Sequence, residues 1–123
     1  MDINAIARKF TDFYYQTFDT ERHGLALLYK DESMLTWEGQ QILGVNAIIQ
    51  KLTSLPFGKV QHQVSTVDAQ PSVPNTANLI VSVTGFLLVD DDSNPIRYSQ
   101  AFHLVSSDGG YYVYNDIFRL NYG

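Results

Sequence analysis

Two short stretches of this 123-residue sequence could take part in recognition or chemistry. In LTWEGQQILG the only tryptophan, Trp37, directly precedes Glu38, so an aromatic ring and a carboxylate stand side by side. In DDDSNP the aspartates 90, 91 and 92 form a run of negative charge that is typical of a solvated turn or of a docking site for a basic side chain. Their spacing does not match the alternating pattern of a calcium loop.

The three histidines, His23, His62 and His103, do not have the spacing of a metal site. Structural roles are favoured for all three, and a pair between a histidine and an acid inside a pocket stays an alternative. The sequence has no cysteine and no GxxxxGK[ST], GxGxxG or GxSxG motif. We therefore predict no cofactor, no metal and no nucleotide site.

Trp37 can be interpreted in two ways. Core packing is the simpler one, because tryptophan is usually well buried. Neighbouring residues of a strand face opposite sides, so Trp37 and Glu38 can act together only if the strand ends there. Gly39 suggests such an end, at the rim of a pocket.

The composition predicts one globular domain over residues 1–123. Hydrophobic residues make up 45% and charged residues 17%, and the net charge is −5. Negative charge disfavours nucleic acid as a partner and favours basic protein surfaces. No apolar run reaches the roughly 18 residues of a membrane span, and no secretory signal is present, so we expect no membrane insertion and a cytosolic or nuclear location.

Helical periodicity dominates the first half of the chain. Apolar residues recur at steps of three and four over residues 3–18, and Asp2 can cap this helix. A short second helix is predicted around residues 25–29. A third covers residues 45–52 and ends before Pro56.

The second half is predicted to form strands. MLTWE and QQIL flank Gly39 as a small hairpin. Residues 59–70 alternate, with Val60, His62, Val64 and Thr66 on one face. Further strands are predicted over residues 79–89, 96–106 and 111–122.

This order of elements predicts an α+β fold, with the helices on one face of a curved antiparallel sheet. Gly85 indicates a bulge or bend that curls the sheet into a cone around the helices, with a mouth that can bind a ligand. The strand over residues 79–89 is apolar on both faces. Its outer face should therefore meet another surface, and we expect a homodimer formed by two identical sheets.

Six segments along the whole chain resemble the nuclear transport factor 2 family, and its fungal members most closely. They are FYYQTFDTER (13–22), LTWEGQQILG (35–44), KLTSLPFGKVQHQV (51–64), DAQP (68–71), DDDSNP (90–95) and NDIFRLNY (115–122). The resemblance implies a homodimeric cone without catalytic activity. It implies a carrier that moves between cytoplasm and nucleus with the GDP form of the small GTPase Ran and crosses the nuclear pore by binding FxFG repeats of nucleoporins.

The resemblance also implies residues for each partner. An aromatic side chain of Ran would enter a pocket lined by Trp37, Leu55, Val60, Tyr98, Ala101 and Phe118. Basic residues of Ran would pair with an acidic rim formed by Glu38, Asp90 and Asp92. The FxFG site would use Ile3, where the family often has an aromatic residue. Gly58 and the pair Ser93 and Asn94 also depart from the family pattern.

Two alternatives to this carrier function stay open. The same cone occurs in enzymes such as ketosteroid isomerase and scytalone dehydratase, and a fold does not settle function. Catalysis would need a buried acid–base set, and Tyr14, His62 and Asp116 do not form a recognisable motif. A domain that only dimerises a partner, without binding Ran, is the second alternative.

Overall fold

Helices dominate the first half of the chain and long strands the second, in line with the change in the spacing of apolar residues. The computed structural model describes residues 2–90, 92 and 94–122. The elements are α1 (Ile3–Thr20), a 3₁₀ helix (Arg22–Leu28), β1 (Tyr29–Trp37), β2 (Gln40–Leu43), α2 (Val45–Thr53), β3 (Val60–Pro71), β4 (Leu79–Val89), β5 (Ile96–Ser107) and β6 (Gly110–Asn121).

The helix predictions are confirmed, with one change in the second helix. The Asp2 carboxylate accepts a hydrogen bond from the backbone N–H of Ala5 at 3.1 Å, as expected for a helix cap. The second helix is a 3₁₀ helix, and Tyr29 already belongs to β1. Among the described helices, none is long and apolar enough to cross a membrane.

The six strands form one curved, unclosed sheet in the order β2-β1-β6-β5-β4-β3. Its neighbouring strands are antiparallel except for β1 and β6, which run parallel. The expectation of a wholly antiparallel sheet is therefore wrong for this one pair. Since β1 is separated from β6 by α2 and four strands, no local turn signal could reveal their pairing.

Gly85 allows two strands to approach closely. A Cβ atom at this position would lie 2.3 Å from the carbonyl oxygen of Gln63 and 3.0 Å from the Tyr98 ring. Real Cβ atoms do not come so close to backbone. The irregular register lies on the partner strand, between Val64 and Thr66, so the predicted bulge is present but on β3.

This bulge reverses the faces of β3 halfway along the strand. Val60 and His62 share one face, as predicted, and this face points to the helices, but Thr66 does not lie on it. Its hydroxyl lies 2.5 Å from that of Thr84, and both residues are exposed. The placement of Thr66 on the face of Val60 was wrong, because one extra residue shifts the period of two.

The outer face of the sheet, which points away from the helices, is unusually apolar. Met34, Leu43, Ile80 and Ile117 lie on it and are between 38% and 66% exposed. Ile117 is the register neighbour of Ala101. Large exposed apolar areas of this kind are typical of protein interfaces.

Candidate partner-binding site

One end of the cone gathers the chain segments that carry the predicted site. Strands β1, β4 and β6 end there, and β3 and β5 begin there. The turn at Glu38 and Gly39 and the loop of residues 54–59 border the same end. We call this end the mouth.

A row of nearly parallel aromatic rings lies inside the mouth. The Trp37 ring stacks on Phe118 with centroids 4.1 Å apart and an angle of 6°. Phe118 in turn stacks on Tyr98 at 5.6 Å, and Phe18 lies parallel to Trp37 at 6.4 Å. Trp37 is 8% exposed, so the simpler interpretation of this residue, core packing, also holds.

Five of the six residues expected to line a pocket lie in the core at this end of the cone, and their contact with a partner stays a prediction. Val60 is buried at the start of β3, and Leu55 is partly buried and packs against the same core. With the rings they belong to the core cluster at this end of the cone, and we call these five residues the socket: Trp37, Leu55, Val60, Tyr98 and Phe118.

Ala101 is not part of the socket. On β5 the buried residues are Tyr98, Gln100, Phe102 and Leu104, and they alternate with residues of the outer face. Tyr98 and Ala101 are three positions apart, so a strand must turn them to opposite sides. Ala101 lies on the outer face with Ile117, and its assignment to the pocket is corrected accordingly.

Glu38 is held at the rim by the turn that it begins. Glu38 and Gly39 both have positive φ, 49° and 85°, the combination that a type I′ hairpin turn requires. The backbone N–H of Leu120 donates to the Glu38 carboxylate. Trp37 and Glu38 therefore both lie at the mouth, because the strand ends between them, as the sequence predicted.

Asp90 lies at the rim on the other side of the aromatic row. Its Oδ1 accepts hydrogen bonds from the backbone N–H groups of Gly58 at 3.1 Å and Lys59 at 2.9 Å. Asp92 is exposed, and its carboxylate accepts from the N–H of Asn94. Asp91 and Ser93 lie outside the described residues. Glu38 and Asp90 thus bracket the socket with negative charge.

A second apolar surface lies along α1. It forms a groove that has a volume of about 360 Å³ and is lined by Ile6, Lys9, Phe10, Phe13, Gly110 and Tyr111. Phe13 is 53% exposed. Ile3 is partly buried one turn before Ile6, so it stands at the end of this groove.

The interior of the cone holds a polar network behind the socket. The Tyr29 hydroxyl donates to Asp116 Oδ2 at 2.7 Å, Tyr14 approaches the same oxygen at 3.4 Å, and the two hydroxyls lie 2.6 Å apart. Gln100 Nε2 donates to Asp116 Oδ1 at 2.8 Å and its Oε1 accepts from Tyr15 at 2.8 Å. All five residues are at most 4% exposed.

Burial governs the acidity of this network. It raises the pKa of Asp116 from 3.8 to about 6, although the hydrogen bonds from Gln100, Tyr29 and Tyr14 favour the carboxylate and oppose the shift. Burial and the charge of Asp116 also raise the pKa of Tyr14 and of Tyr29 well above the ordinary value.

His62 does not join Tyr14 and Asp116. Its Nδ1 lies 2.6 Å from Asp19 Oδ1, and its backbone N–H donates to the other oxygen of Asp19 at 2.9 Å. Its ring stacks on Tyr15 at 4.2 Å. Of the three residues considered for an acid–base set, Tyr14 and Asp116 therefore belong to the interior network, whereas the buried side chain of His62 pairs with Asp19 at the end of α1.

Sequence reasoning missed the partners that fix these groups. Asp19 and residues 58–59 lie in segments that carry the family resemblance, but no role was predicted for them, and Tyr29 and Gln100 lie outside those segments. The pairing of Asp19 with His62 joins residues 43 positions apart, and no local signal indicates it.

The fold and this mouth define an NTF2-like cone. The nuclear transport factor 2 (NTF2) domain model matches residues 6–120. Nuclear transport factor 2 of Schizosaccharomyces pombe is 58% identical over 122 residues, which cover 99% of this chain and 98% of that protein. The chain belongs to the nuclear transport factor 2 family.

Solved structures agree with this assignment. The structure of nuclear transport factor 2 from Cryptosporidium parvum matches with a TM-score of 0.89 and 45% identity, covering 97% of this chain and 94% of the other. A putative scytalone dehydratase from Novosphingobium aromaticivorans matches with a TM-score of 0.71 and 14% identity, covering 96% and 83%. At that identity only the fold is shared.

Proposed function

We propose that the protein is a single-domain nuclear import carrier that binds the GDP form of Ran through the mouth. The observation that carries the proposal is the socket of stacked rings with Glu38 and Asp90 fixed beside it. The relatives are named nuclear transport factors, which supports a transport role without catalysis. Such a carrier works in cytoplasm and nucleus and at the nuclear pore.

The chemistry of the mouth suits a partner that presents an aromatic side chain flanked by basic residues. Burying a phenylalanine contributes about 1.5 to 3 kcal/mol, and each charge-assisted hydrogen bond about 1 to 3 kcal/mol. These terms must also offset the entropy lost on association. A dissociation constant near 1 μM, equivalent to about 8 kcal/mol, is the resulting scale and suits a carrier that must release its cargo.

Selectivity for GDP would arise in Ran. Its switch II region moves between the two nucleotide states. Only one of the two arrangements would then place the aromatic side chain opposite the socket and the bases opposite Glu38, Asp90 and Asp92.

Trp37 provides a direct optical test of socket occupancy. It is the only tryptophan of the chain and stacks on Phe118. We expect its emission to change when unlabelled Ran-GDP is added, measured as the difference from Ran-GDP alone because Ran can contribute its own fluorescence. A Trp37→Phe variant, whose binding is measured by calorimetry, is the control, because any change of emission that it still shows must come from Ran. An unchanged Trp37 spectrum at saturation would place the contact elsewhere.

For passage through the pore we propose that FxFG repeats bind the groove along α1, with Ile3 at its end. Two phenylalanines of such a repeat need an apolar slot with exposed aromatic surface. Phe13 and Phe10 offer it. Ile3 adds apolar area but lacks the ring stacking of an aromatic residue, worth about 0.5 to 1.5 kcal/mol.

Phe13→Ser should weaken binding of an FxFG peptide about tenfold, because it removes most of the exposed ring area of the groove. Ran-GDP binding should not change, since Phe13 lies outside the mouth. Val73→Ser is the matched control at another exposed apolar residue. Fluorescence anisotropy of a labelled peptide measures the effect, and equal affinity of Phe13→Ser and the parent would contradict the groove assignment.

We also propose that the outer face of the sheet forms a two-fold homodimer. Its apolar side chains are too numerous for a free surface, and small residues at Ser82 and Ala101 stand in register with Ile117. A bulky residue beside small ones on the same face allows two copies to interdigitate.

Ile117→Glu should convert the dimer to a monomer, because two buried carboxylates would meet few partners in an apolar interface. Light scattering should give roughly 28 kDa for the parent, twice the 13.9 kDa of the chain, and half of that for the variant. Leu27→Glu, at an exposed residue off the sheet, should stay dimeric. A monomeric parent at micromolar concentration would refute this interface.

A further inference from the structure

We infer that Arg22 is a positioning residue for the socket: its guanidinium fixes the loop that carries Leu55 and thereby prepares the mouth for a partner. This inference rests on the proposed function, because its main readout is the affinity for Ran-GDP. Arg22 directly follows the end of α1 and is partly buried beside the mouth.

The Arg22 guanidinium contacts three segments at once. Its Nη1 donates to the carbonyl oxygen of Leu52, near the end of α2, at 3.1 Å. Its Cζ lies 4.8 Å from the centroid of the Phe18 ring and 5.4 Å from that of Phe57. A planar guanidinium can stack on rings and donate hydrogen bonds together, which a lysine ammonium cannot do in the same way.

Two of these contacts concern the loop of residues 54–59: one is with Leu52, just before the loop, and one is with Phe57, within it. The loop contains no helix or strand, yet it carries Leu55, a socket residue that packs against the core. Arg22 fixes its α2 end through Leu52 and its middle through Phe57. Asp90 fixes its β3 end through the two backbone N–H groups of residues 58 and 59.

The same guanidinium also borders the aromatic row. Phe18, over which it lies, is parallel to Trp37, and Trp37 stacks on Phe118. Removing Arg22 therefore takes away the contacts of the guanidinium with the Leu52 carbonyl and the Phe57 ring, and it leaves the row without its cation. The hydrogen bonds of Ser54 with α2 and of Asp90 with residues 58 and 59 remain. A partner must then order the loop on binding, and that cost appears as lost affinity.

The role predicted here is positional and not electrostatic. The acids that meet a basic partner are Glu38, Asp90 and Asp92, and Arg22 carries the opposite charge. A purely electrostatic role would make its removal favourable to a basic partner, whereas a positioning role makes removal unfavourable. The two explanations thus predict opposite signs.

The test uses Arg22→Met, which keeps the length of the side chain, and Arg22→Lys, which keeps the charge. Both should bind Ran-GDP about tenfold more weakly by calorimetry, a change of about 1.4 kcal/mol. For Arg22→Lys the dependence of affinity on salt should be that of the parent, because this change keeps the charge. His23→Met, at the exposed neighbour of Arg22, is the control and should bind normally.

Methyl NMR of Leu55 in the free protein is the second readout. We expect its signals to shift or broaden in Arg22→Met and Arg22→Lys and to stay unchanged in His23→Met. Parent-like affinity of either arginine variant, or unchanged Leu55 signals, would overturn the inference. A parent protein that does not bind Ran-GDP would overturn the proposed function instead, and the Leu55 signals would still test the role of Arg22.

Phe57→Leu tests the same contact if Arg22→Met does not fold. It removes the ring under the guanidinium and keeps an apolar side chain in the loop. The variant should lose part of the affinity, and Phe57→Leu combined with Arg22→Lys should lose less than the two single changes predict separately. Fully additive losses would show that the two residues act independently and would contradict the inference.

Discussion

Glu38→Lys should abolish detectable binding of Ran-GDP, a loss of more than about a hundredfold, while the dimer persists. The change places a positive charge at the rim, where basic side chains of Ran are expected, and charge reversal in such a place costs several kcal/mol. Calorimetry measures the affinity, and light scattering measures the mass of the same sample.

Two further variants separate charge from structure at this position. Glu38→Gln keeps an oxygen that can accept from the Leu120 N–H and loses only the charge, so we expect an intermediate loss of about tenfold. Glu32→Lys makes the same change of charge on an exposed residue of β1, five positions from Trp37, and should bind normally. Micromolar binding by Glu38→Lys would contradict the acidic rim.

Asp116→Asn should remove a pH dependence of stability amounting to roughly 3 kcal/mol, the equivalent of a pKa raised from 3.8 to about 6. Burial holds the folded-state pKa above the unfolded one. The stability that neutral Asp116 contributes is therefore complete below about pH 4 and is lost as the pH rises through about 6.

The asparagine variant keeps the network in place without a charge. Its amide oxygen can accept from Gln100 Nε2, and its NH₂ can donate to the hydroxyls of Tyr29 and Tyr14, which then act as acceptors. Relative to the parent, Asp116→Asn should thus gain stability between pH 4 and 7.

Urea unfolding at one protein concentration, at pH 4, 5, 6 and 7, measures this difference; the fixed concentration is needed because dimerisation adds to stability. Asp12→Asn, at an exposed acid of α1 away from the outer face of the sheet, should follow the parent curve. A stability difference between Asp116→Asn and the parent that does not change with pH would show that Asp116 titrates as it does in the unfolded chain.

Helices and strands could be predicted from the sequence where the spacing of apolar residues agrees with the cap and turn residues at the ends of the element. The apolar steps of residues 3–18, the cap at Asp2 and the turn at Gly39 each follow from local rules, and the structure has them. Local rules also explain how Trp37 and Glu38 come to share the rim, because a type I′ turn begins between them.

Other features depend on contacts that lie far apart in the chain. The parallel pairing of β1 with β6 and the pairing of Asp19 with His62 have no local signal. The bulge was expected at Gly85 in β4 but lies in the neighbouring strand, β3. Because Gly85 has no side chain, it leaves room for the extra residue of β3. Ala101 could have been excluded from the pocket by counting from Tyr98, since an odd separation on one strand changes the face.

The central claim is that the mouth binds Ran in one nucleotide state. Titration calorimetry of the protein with Ran-GDP and with Ran-GTP, under identical salt and temperature, tests it most directly. We predict a dissociation constant of about 1 μM for the GDP form and no measurable heat of binding for the GTP form. Equal affinity for both forms, or no binding of the GDP form, would contradict the proposed function.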